Sequence, residues 1–311
     1  MKRVIVALIV ILSGWSGSLW AACTASSSST DFGSVSSFTL ASTAQVVETG
    51  TGFTCSGSAL SLLSTNTVTG TISSSSHASG TSPQAYNSST GSSIPYTICG
   101  DSACSTTYSI GSSKTWSSTS LLGLLGLFNA SDGSLPLYLK STAGVNVPAG
   151  TYTDTLTLNW NYRTCFVGVL GLCVYTTGTA TSTIQIQFEV TNDCAIDSAP
   201  DLDFGSASLP ASFSSVSSAL AIRCTLNAAY SVNLASSNAT SGDWRQMRNG
   251  SSLLQYQLYQ SDGTAWTPDN NLSETGTGTA QSIHYSAKVN PDQINQPAGN
   301  YSDTVTITVT Y

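Results

Sequence analysis

Residues 148–162 read Pro-Ala-Gly-Thr-Tyr-Thr-Asp-Thr-Leu-Thr-Leu-Asn-Trp-Asn-Tyr, and residues 297–311 read Pro-Ala-Gly-Asn-Tyr-Ser-Asp-Thr-Val-Thr-Ile-Thr-Val-Thr-Tyr. In each copy a Pro-Ala-Gly turn leads into a segment that alternates apolar with polar side chains. Alternation at period two marks a strand with one face buried. Leu156, Leu158, Trp160 and Tyr162 share one face of the first copy, and Val305, Ile307, Val309 and Tyr311 share that face of the second. The chain therefore reads as an all-β unit used twice.

Beyond this pair, Asp31-Phe32-Gly33-Ser34 answers Asp203-Phe204-Gly205-Ser206. Cys23 and Cys55 answer Cys194 and Cys224 at nearly equal spacing, Trp116 answers Trp266, and Lys140 lies near the place of Lys288. No segment carries a helical period long enough to count as a major element. Strand-like stretches alternate with Gly, Asn, Asp and Ser, the pattern of immunoglobulin-like sandwiches. The expected fold is all-β, with two such sandwiches in tandem. Eight cysteines allow about 105 pairings. The repeat narrows these to Cys23–Cys55 and Cys194–Cys224, with Cys99–Cys104 and Cys165–Cys173 each closing a hairpin. A crossed pairing among the last four is the alternative.

The first 22 residues read as a secretory signal. Lys2 and Arg3 precede an apolar run from Val4 to Leu12, and Ala21 or Ala22 offers the cleavage point. The run is too short to span a bilayer. Export fits eight cysteines held as disulfides. The chain carries a net charge of −7 and only 8% charged residues. That balance argues against nucleic acid and anionic membrane as partners. The expected organisation is a signal peptide over 1–22, a first module over 23–190 and a second over 191–311.

The two copies differ in the sequence on their C-terminal side. After Tyr162 comes a hairpin and then Thr183-Ile184-Gln185-Ile186-Gln187-Phe188-Glu189-Val190, a faultless alternation suited to plugging an apolar cleft. Strand 181–190 is expected to complete module 1 in cis, insertion into another chain being the competing possibility. Nothing comes after Tyr311, so module 2 is expected to be a strand short and to present Val305, Ile307, Val309 and Tyr311 at the edge of a groove. An unpaired apolar edge is an aggregation hazard. Filling it with four or five large side chains contributes roughly 8–10 kcal/mol at about 2 kcal/mol each. A chain beginning at Cys23 has no free segment to lend, so it would accept a strand, donate none, and stand at one end of a strand-exchanged polymer.

On the Cys23/Cys55 and Cys194/Cys224 pairs, both Asp-Phe-Gly-Ser motifs and both Pro-Ala-Gly-x-Tyr-x-Asp-Thr strands, each half resembles a spore coat protein U domain. The whole mature chain is similar to the two-domain tip adhesins of archaic (Csu-type) chaperone–usher pili. That resemblance implies a periplasmic pilus chaperone that fills the groove of module 2, an outer-membrane usher, and an adjacent pilin subunit whose N-terminal strand replaces the chaperone. It also implies a cell-surface location at the pilus tip and hydrophobic finger loops.

Strand direction locates the binding end. Strand 181–190 runs into module 2, so the 163–175 hairpin lies at the opposite pole, and the loop 117–134 leads to that pole as well. Both segments are apolar: Phe166, Val167, Val169, Leu170 and Leu172 in the hairpin, and Leu121, Leu122, Leu124, Leu125, Leu127 and Phe128 in the loop. Loops at a free end are normally polar, and residues 267–276, taken as the counterpart loop of module 2, are polar. A patch of this kind signals a binding surface, here for a hydrophobic or abiotic surface and for biofilm. Alternatively, 121–128 packs beneath module 1 with the hairpin as its cover. A third apolar loop could come from 66–93, whose Ser/Gly-rich sequence does not place it.

A second functional reading is a lectin-like adhesin holding a glycan with Trp116, Tyr86, Asn87 and the 73–93 segment. A third, a structural shaft subunit, requires a donor segment before Cys23. Catalytic chemistry has little support. His77 lies in a serine run and His284 in a strand, so neither a metal cluster nor a His-based triad is visible. Asp154 and Asp303 are expected to fix the turn into the repeated strand. No cofactor is expected.

Overall fold

In the computed structural model, residues 22–56, 65–118, 126–169 and 172–311 are described. The expected signal peptide up to residue 21, residues 57–64, most of the 121–128 loop and the tip of the hairpin lie outside these.

Module 1 contains β1 (Ala22–Ala25), β2 (Ser28–Ser36), a short helix α1 (Ser37–Ser42), β3 (Val46–Gly50), β4 (Phe53–Ser56), β5 (Asn66–Ser75), β6 (Ala78–Ser79), β7 (Ser82–Asn87), β8 (Ser92–Cys99), β9 (Thr107–Tyr108), β10 (Ser113–Ser118), β11 (Pro136–Ser141), β12 (Gly150–Val169) and β13 (Leu172–Thr191). One sheet runs β10-β5-β12-β13-β2. The other runs β7-β8-β11-β3, and a single β7–β12 pair at Thr153 and Tyr86 joins the two. Between them lies a core that includes Phe53, Tyr96, Trp160 and Phe188. Gly70 on β5 faces Trp160 so closely that a Cβ there would lie 2.6 Å from the indole.

Module 2 contains β14 (Cys194–Ser198), β15 (Val216–Cys224), β16 (Ala229–Ser236), β17 (Arg245–Asn249), β18 (Ser252–Gln260), β19 (Leu272–Thr275), β20 (Ala280–Val289) and β21 (Val305–Thr310). Its sheets are β14-β15-β20-β18-β17 and β19-β16-β21. A separate core forms around Trp266, Leu220, Ile222 and Ala287. The sequence did not signal α1, a single turn whose N-cap Ser36 accepts from the Thr39 amide at 3.2 Å.

The repeat is realised in the disulfide-bonded strands and in the sheet around the repeated strand. Disulfides join Cys23 to Cys55 and Cys194 to Cys224 across β1–β4 and β14–β15, while Cys99–Cys104 and Cys165–Cys173 close local hairpins. β12 lies beside β5 as β21 lies beside β16, and β10 flanks the first pair as β19 flanks the second. Asp154 and Asp303 take the same role in each module. Asp154, 3% exposed, accepts hydrogen bonds from the Ser75 and Ser76 hydroxyls and from the Tyr96 phenol, all at 2.6 Å. Asp303 accepts from Ser236, from Ser237 at 3.0 Å, from the Asn238 amide at 2.9 Å and from the Tyr256 phenol at 2.6 Å. Each carboxylate ties its strand to a neighbouring turn and to the facing sheet.

The modules meet where β12 begins. Asn146 donates to the Thr277 carbonyl at 3.0 Å, Ser37 and Thr225 share a buried hydroxyl contact at 2.7 Å, and the Arg223 guanidinium lies 4.5 Å from the Phe38 ring. β12 therefore starts beside module 2 and ends at the opposite pole.

Candidate functional site

Two sites emerge, one at the free pole of module 1 and one along β21 of module 2. The first is built on the β12–β13 ribbon. β5 accompanies β12 only as far as Arg163, opposite Thr67, whereas β12 and β13 stay paired to Val169 and Leu172. Beyond Arg163 the two strands pair only with each other among the described residues, over about 20 Å at roughly 3.3 Å per residue, and at the root Thr164 and Cys165 remain buried. The root is anchored. The Cys165 amide donates to Asn66 Oδ1 at 2.6 Å, the Arg163 guanidinium lies 3.3 Å from the Tyr175 ring centre, and Cys165–Cys173 clips the two strands across a bulge.

Near the tip Leu172 is 81% exposed and Val174 is 68% exposed. Val174 was part of the apolar hairpin by sequence and joins the exposed set by position. Phe166, Val167 and Val169 belong to β12, but their side chains lie outside the described residues, as do Leu170, Leu121, Leu122, Leu124 and Leu125. Leu127 and Phe128 are placed, and they pack partly buried against the core of module 1. The packing alternative thus applies to the trailing end of that loop: these two side chains spend much of their apolar surface internally.

The loop leaves the sandwich at the same pole as the ribbon, since Ser118 pairs with Asn66, the residue that anchors Cys165. The polar control needs correction. Residues 267–276 include β19, the counterpart of β10, so they do not correspond to the loop that comes after β10. That counterpart is 276–279, a short Gly-Thr-Gly-Thr turn that packs on Asn146 of module 1. The position remains polar in module 2, where Thr277 and Thr279 are exposed.

The sought third loop is not 66–93, which forms β5 through β7 and the start of β8. Residues 57–64 were overlooked. They run between Ser56 and Asn66, where module 2 has only 225–228, and they carry Leu60, Leu62 and Leu63. Aligning Cys55 with Cys224 would have revealed the insertion. Its side chains lie outside the described residues.

The glycan constellation is not assembled. Trp116 is 6% exposed against Trp160 and carries the Lys114 ammonium over its ring, and Asn87 is 5% exposed with Oδ1 accepting from the amides of Ser89 and Thr90. Tyr86 stacks on His77. These groups are occupied in packing and turn formation. Trp266 is likewise buried, but it precedes β19 and donates its amide to Leu258, so its setting differs from that of Trp116 on β10. Among the described residues no group of three His, Cys, Asp or Glu could hold a metal.

The second site is a contrast between equivalent strands. In module 1, β13 pairs antiparallel with β12 and parallel with β2, and it buries Ile184, Ile186, Phe188 and Val190 to 1% exposure or less. Under that cover Tyr152, Leu156, Leu158 and Trp160 are also at 1% or less. In module 2, β21 pairs with β16 alone, and residues 199–207, the counterpart of β2, pair with no strand. Tyr301, Val305, Ile307 and Val309 are only half-buried, and Tyr311 is 55% exposed. Between the two walls lies a cavity of about 470 Å³, which shares Leu202, Phe204, Met247 and Tyr301 as lining with another of about 750 Å³.

Sandwiches in tandem, one closed by its own last strand and the other open along an apolar groove, define a class of disulfide-bonded, all-β modular protein. The chain belongs to the spore coat protein U domain family, which it matches over residues 13–159 and 180–308. Among solved structures it is similar to the CsuC–CsuE chaperone–tip adhesion subunit pre-assembly complex from archaic chaperone–usher Csu pili of Acinetobacter baumannii, at 27% identity and a TM-score of 0.60, over 93% of this chain and 100% of that one. More distant likenesses are the CupB6 tip adhesin from Pseudomonas aeruginosa (14% identity, TM-score 0.37, 89% of each chain) and CfaE, the adhesive subunit of CFA/I fimbria of enterotoxigenic Escherichia coli (11% identity, TM-score 0.37, 93% of each chain). No curated protein matches by sequence. By family, the protein is not an enzyme.

Proposed function

We propose that this protein is the tip adhesin of a chaperone–usher pilus and attaches cells to hydrophobic surfaces through apolar loops at the free pole of module 1. The observation that carries the reading is the contrast between β12 and β21: the same repeated strand is covered by β13 in one module and uncovered in the other. A strand from another polypeptide is the cover that β21 lacks. During export a periplasmic chaperone would supply it, and after passage through an outer-membrane usher an adjacent pilin would, leaving module 1 to face outward. The likeness to a chaperone–tip subunit pre-assembly complex supports the chaperone as a partner.

Attachment is explained by the ribbon. Leu172 and Val174 stand exposed on a disulfide-clipped arm, beside the exits of 119–125 and 57–64. Burying one such side chain against an apolar surface stabilises the contact by about 1.5–3 kcal/mol, and several loops acting together need no stereospecific partner. The glycan reading loses support because Trp116 and Asn87 are buried. A combined variant, Leu124→Ser, Leu170→Ser and Leu172→Ser, tests the proposal on pili displayed by cells. Attachment to polystyrene should fall at least about tenfold with pilus number unchanged. Unaltered attachment that a free sugar inhibits would contradict it.

A further inference from the structure

Module 1 contains a worked example of its own closure, and module 2 keeps most of the same parts. The Asp-Phe-Gly-Ser motif folds identically in both: Asp31 Oδ1 accepts from the Gly33 amide and Asp203 Oδ1 from the Gly205 amide, each at 2.8 Å, with the glycines at φ of +76° and +72°. That left-handed conformation suits glycine, and it aims the preceding phenylalanine at the groove in each case. In module 1 Phe32 stacks on Phe188 of the closing strand, with ring centres 3.8 Å apart and planes at 11°. In module 2 Phe204 meets only edge-on neighbours among the described residues, Phe213 at 78° and Tyr256 at 70°, and lines both groove cavities. Its face has no stacking partner there.

The register of the missing partner can be carried over. In module 1 Phe188 lies opposite Tyr152, Ile186 opposite Asp154 and Ile184 opposite Leu156. The repeat places Tyr301, Asp303 and Val305 at those positions, and all three line the 470 Å³ cavity together with Phe204. We infer that the groove of module 2 contains a preformed aromatic subsite on Phe204, and that its occupant is an extended segment of another polypeptide with an aromatic side chain opposite Tyr301. That segment runs antiparallel to β21 and places aliphatic side chains opposite Asp303 and Val305. The geometry selects one register and one direction, because a two-residue slip moves the ring away from Phe204. An aromatic pair in offset stacking adds attraction beyond the area it buries. The inference rests on the proposed strand acceptance by module 2 and adds which side chain the groove selects.

Synthetic peptides spanning residues 181–191 of this chain serve as the probe, with binding to the purified full chain read by fluorescence anisotropy. Three are compared: the native sequence, Phe188→Ala, and one of identical composition with Ile184 and Phe188 exchanged. The native peptide should bind at least about tenfold tighter than either of the others, and Phe204→Ala in the protein should erase that preference. Equal binding of all three would overturn the aromatic subsite while leaving strand acceptance intact. Binding by none would overturn both. A free chain that dimerises and thereby loses peptide binding would assign the groove to a second copy, and would overturn the proposal too.

Discussion

At the scale of single residues, the two aspartates that the repeat aligns have one job each. Asp154 and Asp303 gather hydroxyl and amide donors from a turn and a phenol from the facing sheet. Burial, reinforced by the neighbouring carboxylate, pushes the phenols of Tyr96 and Tyr256 well above the ordinary tyrosine range. Above about pH 10 the unfolded chain releases these protons while the folded chain retains them. Their contribution to stability is therefore fully present below about pH 10 and declines as pH rises beyond it. An ultraviolet titration of the phenols should show these two ionising only together with unfolding; reversible ionisation in the folded protein would contradict this. Tyr96→Phe, which leaves a buried carboxylate one donor short, should cost about 1.5–3 kcal/mol in denaturant unfolding. The twin roles of the aspartates were legible from the repeat, but their phenolic partners were not, because Tyr96 and Tyr256 come from distant strands with no shared local signature.

At the scale of elements, the β12–β13 ribbon and the closing strand were the most legible parts. Unbroken alternation from Ile184 to Val190 specifies one face, and a one-residue slip would turn every apolar side chain outward. Cysteine spacing marked the ribbon's waist. Less legible was where the apolar loop stops being a loop: Leu127 and Phe128 return to the core, a tertiary choice that composition does not reveal. The buried state of Trp116 was hidden for the same reason, since an aromatic residue on a polar strand reads equally as a platform or as core. Residues 57–64 were missed because the repeat was traced through strands and not through the lengths of the turns between them. The ribbon gives its own test. Replacing Cys165 and Cys173 together by Ala unclips the ribbon at its root, where Cys165 is fully buried, so the protein should lose about 2–4 kcal/mol in denaturant unfolding, the range typical of a native disulfide. Attachment to polystyrene should fall several-fold because the exposed apolar side chains are no longer held together. Full attachment by the double variant would show that the clip does not organise the surface.

At the scale of the whole molecule, one strand plan is used twice with opposite outcomes. Module 1 closes on itself, and at its free pole the chain leaves β10 at Ser118 and enters β5 at Asn66. Module 2 has short turns at the pole that meets module 1 and an uncovered edge along β21. That division suits a subunit with one end committed to contact and the other to assembly. A partner that binds only the folded form raises apparent stability with its concentration. Adding the 181–191 peptide should therefore raise the unfolding temperature of module 2 and leave that of module 1 unchanged; an equal shift in both would point to nonspecific binding.

Both the proposed polarity of the molecule and its proposed place in a fibre depend on β21 having β16 as its single neighbour in the isolated chain and gaining a second from another polypeptide. Amide hydrogen exchange along Val305–Thr310 tests this directly, with β12 of the same molecule as reference. In the free chain, the β21 amides that point away from β16 should exchange at least about a hundredfold faster than their β12 counterparts, and they should slow to the β12 rate once the strand peptide or the chaperone is bound. Full protection of β21 in a free, monomeric chain would contradict the account.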